Sequence, residues 1–442
     1  MKQNHIAARF IMLGLGCLVL SILFGLIASL QYIFPSLLAY RFSFQLTRPL
    51  HVFLAINWIF ACVTGVIYQY IPIVAQRTLY SSRMAYAHLL LVLLTIIAAV
   101  AGFCAGYFSG REYLEFPPAL SVIIVCYWLL FSINFLLTIK PKLAGAPVYV
   151  WSWCTGLVFF LITITEAHLW LLPYFNGNIV RDITVQWKAN GSMVGAWNML
   201  IYGTAMYAME RISANSNIGY QKTSFAFYFL GLTNLMFNWG HHTYVVPASP
   251  AIKEISYIIS MTELLLFANI IMKWKRGLLK DKDDRFVLAP LFFKSADRWI
   301  LLNLGLAIAI SIPYINRFTH GTQITVAHAM GATIGINTML LLGSIAFILE
   351  QKAAILSHKY IVTGLRLTNL SLLVFWCSLI ATGIIRSYDT FRNTYFAVTT
   401  ARLQPYLKIF SAAGVFLVAG MAMICFNFLK ALAVPAPKIK KP

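Results

Sequence analysis

Four histidines carry the chemistry this sequence offers: His51, the adjacent pair His241 and His242, and His328. Imidazole is the commonest side-chain ligand for iron, copper and zinc. His51 begins the apolar run 48–75, the pair closes the run 223–244, and His328 stands about two turns into the run 321–349. If successive runs cross a bilayer in alternate directions, all four reach one depth in the outer part of the membrane. Ionisable side chains at such depth are costly, so four imidazoles at one level call for a partner, which a metal or a haem iron supplies. A lone membrane histidine is more often a hydrogen-bonded packing residue. Glu263 lies 21 residues beyond His242, in the middle of the run 252–273. A mid-bilayer carboxylate is expected to donate protons or to polarise a nearby site, the alternative being a protonated glutamate bonded to a neighbouring helix.

The elements that must position these residues are membrane helices. Of 442 residues 60% are hydrophobic and only 11% charged, with a mean hydropathy of +0.76, whereas soluble domains carry about a quarter charged residues. A bilayer crossing needs about 20 apolar residues, and about twelve such runs recur from residue 8 to residue 430, near 8–32, 48–75, 85–107, 118–139, 147–172, 191–209, 223–244, 252–273, 298–314, 321–349, 360–385 and 406–430. The expectation is an all-α polytopic membrane bundle, one transmembrane domain over 1–442 with a short basic tail at 431–442. The first run is longer than a signal peptide's apolar region and reads as helix one.

The formal charge of +21 forms no single patch. Lys and Arg gather in alternate loops: Arg77 and Arg83, Lys140 and Lys142, Arg211 and Lys222, the stretch 273–285, then Lys352, Lys359 and Arg366. The positive-inside rule places those loops and both termini in the cytoplasm, and the charge speaks for topology and contact with anionic membrane lipid rather than for nucleic acid. The seven cysteines lie singly in apolar runs, and no C-x-x-C-H is present for covalent haem.

With these residues in place, the sequence resembles subunit I of the haem-copper oxidase superfamily, closest to the large subunit of nitric oxide reductases, with cbb3-type oxidases next. The resemblance covers about 42–350. Arg48-Pro49-Leu50-His51 is similar to the segment whose histidine is an axial ligand of the low-spin haem. Trp239-Gly240-His241-His242 is similar to the pair that binds the non-haem metal, iron or copper. Thr319-His320-Gly321-Thr322-Gln323 with Ala327-His328 resembles the segment whose histidine is the proximal ligand of the high-spin haem. Glu263 falls where nitric oxide reductases carry a glutamate, and Leu235 stands where cbb3-type oxidases place a redox-active tyrosine.

The sequence departs from the family pattern at two places. Anchored on Trp187, Gly195 and Trp197, the sixth run has Asn190 where the family has a histidine and Val194 where nitric oxide reductases add a glutamate, and a shift of one puts Gly191 at the histidine; His241 and His242 are left as the metal donors, with water, Asn190 or Glu263 to complete the set. In the tenth run the family's second histidine is Met330. Positions two apart on a helix point about 200° apart, so His328 and Met330 face opposite sides; Met330 either pairs with His51 as a thioether ligand to low-spin haem or only packs the core. His168 with Glu166 reads as a proton relay or an ion-paired packing pair, and His88 as structural.

The resemblance implies two haems b, one low-spin and one high-spin, with one non-haem iron or copper, a cytochrome c-type donor, and nitric oxide or oxygen as substrate at the cell inner membrane. Two other readings stand beside a working reductase. One is a divergent electron-transfer or gas-binding cytochrome without the second metal, and the other is a twelve-helix transporter whose histidines relay protons.

Overall fold

The computed structural model describes residues 2–213, 217–247, 249–259, 261–262, 285–352 and 356–433. Among them the chain is helical, without a strand. Twelve principal helices follow the apolar runs: α1 (Lys2–Gln31), α2 (Phe44–Ala75), α3 (Ser82–Cys104), α4 (Leu120–Ile139), α5 (Val148–Glu166), α6 (Ile179–Ile212), α7 (Lys222–Phe237), α8 (250–259), α9 (Ala289–Ser311), α10 (Gln323–Gln351), α11 (His358–Phe391) and α12 (Phe396–Ala433). Eight of these are long and apolar enough to cross a bilayer; α9, bent by 99° into the short helix Pro313–Thr319, makes a ninth if that pair is one span. The expected Glu263 and the last nine residues of the basic tail lie outside the described residues.

The surface is built for lipid. On α3 Leu90, Leu93, Leu94 and Ile97 are exposed at helical spacing, while His88, Val92, Ile96, Ala99 and Phe103 are buried on the other face. Such an apolar outer stripe would be a liability in water and is ordinary in hydrocarbon. Neighbouring helices close on small residues, as they must where hydrophobic attraction between spans is weak. A Cβ on Gly364 of α11 would lie 2.7 Å from the Gly420 carbonyl of α12.

α6 and α10 hold the centre. The Asn337 amide of α10 donates to the Asn198 side chain of α6 (3.0 Å), and Trp58 of α2 donates to Thr338 (3.1 Å). Thr322 caps α10 by accepting from Ile324 N–H (3.3 Å). Immediately after Met330 the helix widens into a π-helical stretch, Gly331–Thr338, before resuming at Met339. Extended π stretches are uncommon and gather at functional sites.

Polar residues tie the two ends. At the end carrying the histidines, the loop between α3 and α4 is pinned to α2 by Arg48–Glu115 (2.5 Å) and to α6 by Arg111–Asp182 (2.8 Å). Between those pins Tyr113 takes a left-handed backbone (φ +68°) and sets its ring edge-on to Trp197, centroids 6.4 Å apart. Burial pushes the Glu115 carboxyl up despite Arg48 beside it. At the opposite end Glu350 accepts three main-chain N–H groups, Val287 (2.9 Å), Leu288 (2.6 Å) and Ala289 (3.1 Å), placing a carboxylate on the positive end of α9. The α11–α12 hairpin returns to the histidine end, where Arg402 donates to the fully buried Asp389 (2.6 Å).

Candidate functional site

His51 lies in the third turn of α2 and its ring is aimed by α1. Nδ1 lies 2.8 Å from the Ser21 main-chain oxygen, and the Ser21 hydroxyl donates to the His51 carbonyl at 2.9 Å. A carbonyl only accepts, so the proton sits on Nδ1 and Nε2 keeps its lone pair. Gly25 makes the approach possible: a Cβ there would stand 2.7 Å from Nδ1. A histidine whose Nδ1–H is held by a main-chain oxygen is arranged as metal-ligating histidines are.

The other histidines meet at the same end. His241 and His242 have ring centroids 4.2 Å apart, Trp187 of α6 lies flat on His242 at 4.7 Å, and His320 stands 6.3 Å from His242. His328 is near enough to interact electrostatically with His242. Its Nδ1 is buried and has no hydrogen-bond partner among the described residues, a costly state for an imidazole nitrogen. α10 is the most enclosed of the eight spans, yet His328, Met330, Thr333 and Ile334 keep accessible surface, as do Val194, Gly195 and Asn198 on α6.

Two histidines lie outside this group. His168 is bonded at both nitrogens, to Ser121 Oγ and the Ile164 carbonyl (both 2.7 Å), while Glu166 pairs with Lys188. The expected Glu166–His168 ion pair is thus corrected: the helix end turns each side chain to a different neighbour. His88 is enclosed by Tyr68, Tyr127 and Phe131 as a structural residue.

Residues 5–416 match the family model described as cytochrome c and quinol oxidase polypeptide I. The chain belongs to that family. It is 22% identical to a nitric oxide reductase subunit of Stutzerimonas stutzeri, over 98% of this chain and 96% of the relative. It is also 22% identical to a cytochrome c oxidase subunit 1 homolog of Agrobacterium tumefaciens, over 92% and 80%. A heme-copper terminal oxidase solved as a dimer by cryo-EM superposes with a TM-score of 0.78, covering 99% of this chain and 85% of that one at 12% identity. The fold is that of a heme-copper oxidase subunit I.

Within this family frame, α6 packs closely on α7 and the segment that follows it. Trp187, Gly191 and Gly195, one helical turn apart, seat on His242, Trp239 and Leu235. A Cβ at Gly191 would fall 2.7 Å from the Trp239 Cβ, and one at Gly195 would fall 2.7 Å from the Leu235 Cβ. Ser192 locks the register by donating to the Leu235 carbonyl (3.0 Å). Asn190 is buried with its amide nitrogen unpartnered among the described residues, lining a cavity of about 10 Å³ with Arg111, Asp182 and Gln186, room for about one water. Among the described residues no three His, Cys, Asp or Glu side chains gather as a metal would require. The described residues thus offer a non-haem metal fewer than the three or four protein donors that are usual, whereas the imidazoles of His51 and His328 suit haem iron.

Ser21 and Gly25 were not legible as site residues. The signal was a serine and a glycine four apart on an otherwise apolar run.

Proposed function

We propose that this chain is a haem-binding respiratory subunit of the inner membrane that passes electrons between two b-type haems. The observation that carries the reading is His51, its Nδ1 committed to Ser21 and its Nε2 left free. His51, with Met330 as the suggested second ligand, would hold the low-spin group, and His328 the high-spin one. Haem supplies one-electron transfer and, where a coordination position is open, binding of a small gas. The protein's part is to fix both imidazoles and to keep water out with the Trp187–His242 stack and the pinned loop above it. By likeness to the nitric oxide reductase relative, electrons would come from a cytochrome c-type donor on the histidine side, nitric oxide or, second, oxygen would be the substrate, and Glu263 would serve protons. His241 and His242 are proposed to face any non-haem iron or copper.

One observation favours the reading without turnover. Asn190, at the place of the α6 histidine, offers only an amide, and Gly191, that place under a shift of one, is closed by Trp239, which suits an electron-transfer or gas-binding cytochrome better than a two-metal reductase.

Pyridine haemochrome analysis and reduced-minus-oxidised spectra of the wild type, His51→Ala and His328→Ala test the proposal. Two haems b are expected, with the low-spin signal lost in the first variant and the gas-responsive signal lost in the second. An absent Soret band in the wild type would overturn it in favour of a transporter. Nitric oxide and oxygen consumption, measured with non-haem metal content, then separates reductase from cytochrome.

A further inference from the structure

His242 is held by rings alone. Trp187 lies on one face at 4.7 Å and 6° from parallel, His241 is 4.2 Å away and His320 stands edge-on at 6.3 Å. Among the described residues His242 makes no hydrogen bond and no ion pair. Other imidazoles are tied: His51 commits Nδ1 to Ser21 at 2.8 Å, His168 is bonded at both nitrogens, and His241 has a partner of its own.

A neutral imidazole carries one N–H donor and one acceptor nitrogen, both in the plane of the ring. Stacking covers a face and leaves that plane open, so Trp187 fixes the directions in which His242 can bond without competing for its proton. On a partly buried ring an N–H without an acceptor is costly until a ligand supplies one. A non-haem metal is a poor candidate for that ligand, because the described residues gather no third donor around the pair.

The position of His328 points to a different partner. The two imidazoles are close enough to interact electrostatically, yet their rings are not in contact. His328 is the proposed ligand of the high-spin haem. Hydrogen-bond donors on the far side of a haem from its protein ligand decide whether a small gas is held, activated or released.

We infer that His242 donates a hydrogen bond to a diatomic gas held at the His328 haem, with Trp187 as the positioning residue that fixes its ring plane. The inference rests on the gas-binding reading above and gives His242 a role that needs no second metal.

Carbon monoxide is the probe, read by the infrared C–O stretch of the reduced, full-length protein, since a hydrogen bond to the bound gas lowers that frequency. His242→Leu is expected to keep the Soret band and to move the stretch to higher wavenumber. His242→Gln, which retains an N–H donor, should undo part of that shift. Trp187→Leu should split the stretch into more than one band as the imidazole turns. Nitric oxide should leave His242→Leu up to about tenfold faster, the worth of one hydrogen bond. If His242→Leu does not fold, His242→Gln and Trp187→Leu supply the same test. A stretch that stays in place in the folded His242 variants overturns the inference and leaves the haem reading intact. One non-haem iron or copper per chain, lost in His242→Leu, overturns it in favour of a metal ligand. An absent Soret band in the wild type overturns the reading on which it rests.

Discussion

The Trp187 ring lies flat on the His242 imidazole, centroids 4.7 Å apart and planes 6° from parallel. It is the first of three contacts that clamp α6 to α7 and the segment after it, followed by Gly191 on Trp239 and Gly195 on Leu235. At 191 and 195 this register leaves room for a hydrogen only.

That closeness is measurable. Gly191→Ala forces the helices apart and is expected to lower stability by about 1–3 kcal/mol, the usual cost of overpacking. Gly305→Ala is the control. It lies on α9 with no atom within 4 Å of the added methyl, and should be neutral or stabilising by up to about 1 kcal/mol through helix propensity. Thermal melts of the two variants in one detergent decide the point; equal melting temperatures would contradict the tight α6–α7 contact.

Gly25→Ala tests how His51 is aimed. The new methyl would stand 2.7 Å from Nδ1, so the ring must rotate away from Ser21. The low-spin haem signal is expected to weaken or change spin state, while His328-dependent gas binding persists. Ser21→Ala, which keeps the main-chain acceptor, should have the smaller effect. An unchanged Gly25→Ala spectrum would show that His51 does not depend on α1.

Apolar runs were readable because hydrocarbon imposes their length, and the histidines because imidazole is rare at that depth. The start of α6 was not. Its run reads from residue 191, yet the helix begins at Ile179 under an Asn178 cap. The first turns carry Asp182 and Lys188, whose partners Arg111 and Glu166 come from a loop and a helix end distant in sequence. The Ser21–His51 contact was hidden for a related reason: it depends on the register of two apolar helices, and no periodicity encodes that.

Glu350 offers a test away from the site. Its carboxylate caps α9 through three N–H groups, so Glu350→Ala leaves buried donors unsatisfied and is expected to cost about 1–3 kcal/mol. Glu350→Gln, which keeps an acceptor without the charge, should cost less. Chemical denaturation of both variants checks the order.

Lys352 predicts a pH dependence. It follows α10 directly, is half-buried, and donates to Gln69 (3.2 Å); burial lowers its pKa from 10.5. Between the lowered value and 10.5 the unfolded chain holds more protons than the folded one, so stability rises with pH in that window. At neutral pH both states are charged and the burial penalty is in full force. Lys352→Gln should therefore melt higher than wild type at about pH 7, and the gap should narrow as the pH approaches 10.5. A gap constant across that range would exclude the lysine as its source.

The lengths of α11 and α12 reach beyond the fold itself. At 34 and 38 residues they extend roughly 51 and 57 Å, against about 30 Å of hydrocarbon. Braced by Asp389 and Arg402, with Tyr395 and Phe396 84% and 86% exposed, their tip is a rigid post rather than a slack loop. An excess of that size over the hydrocarbon thickness is taken up by tilt or by projection beyond the bilayer.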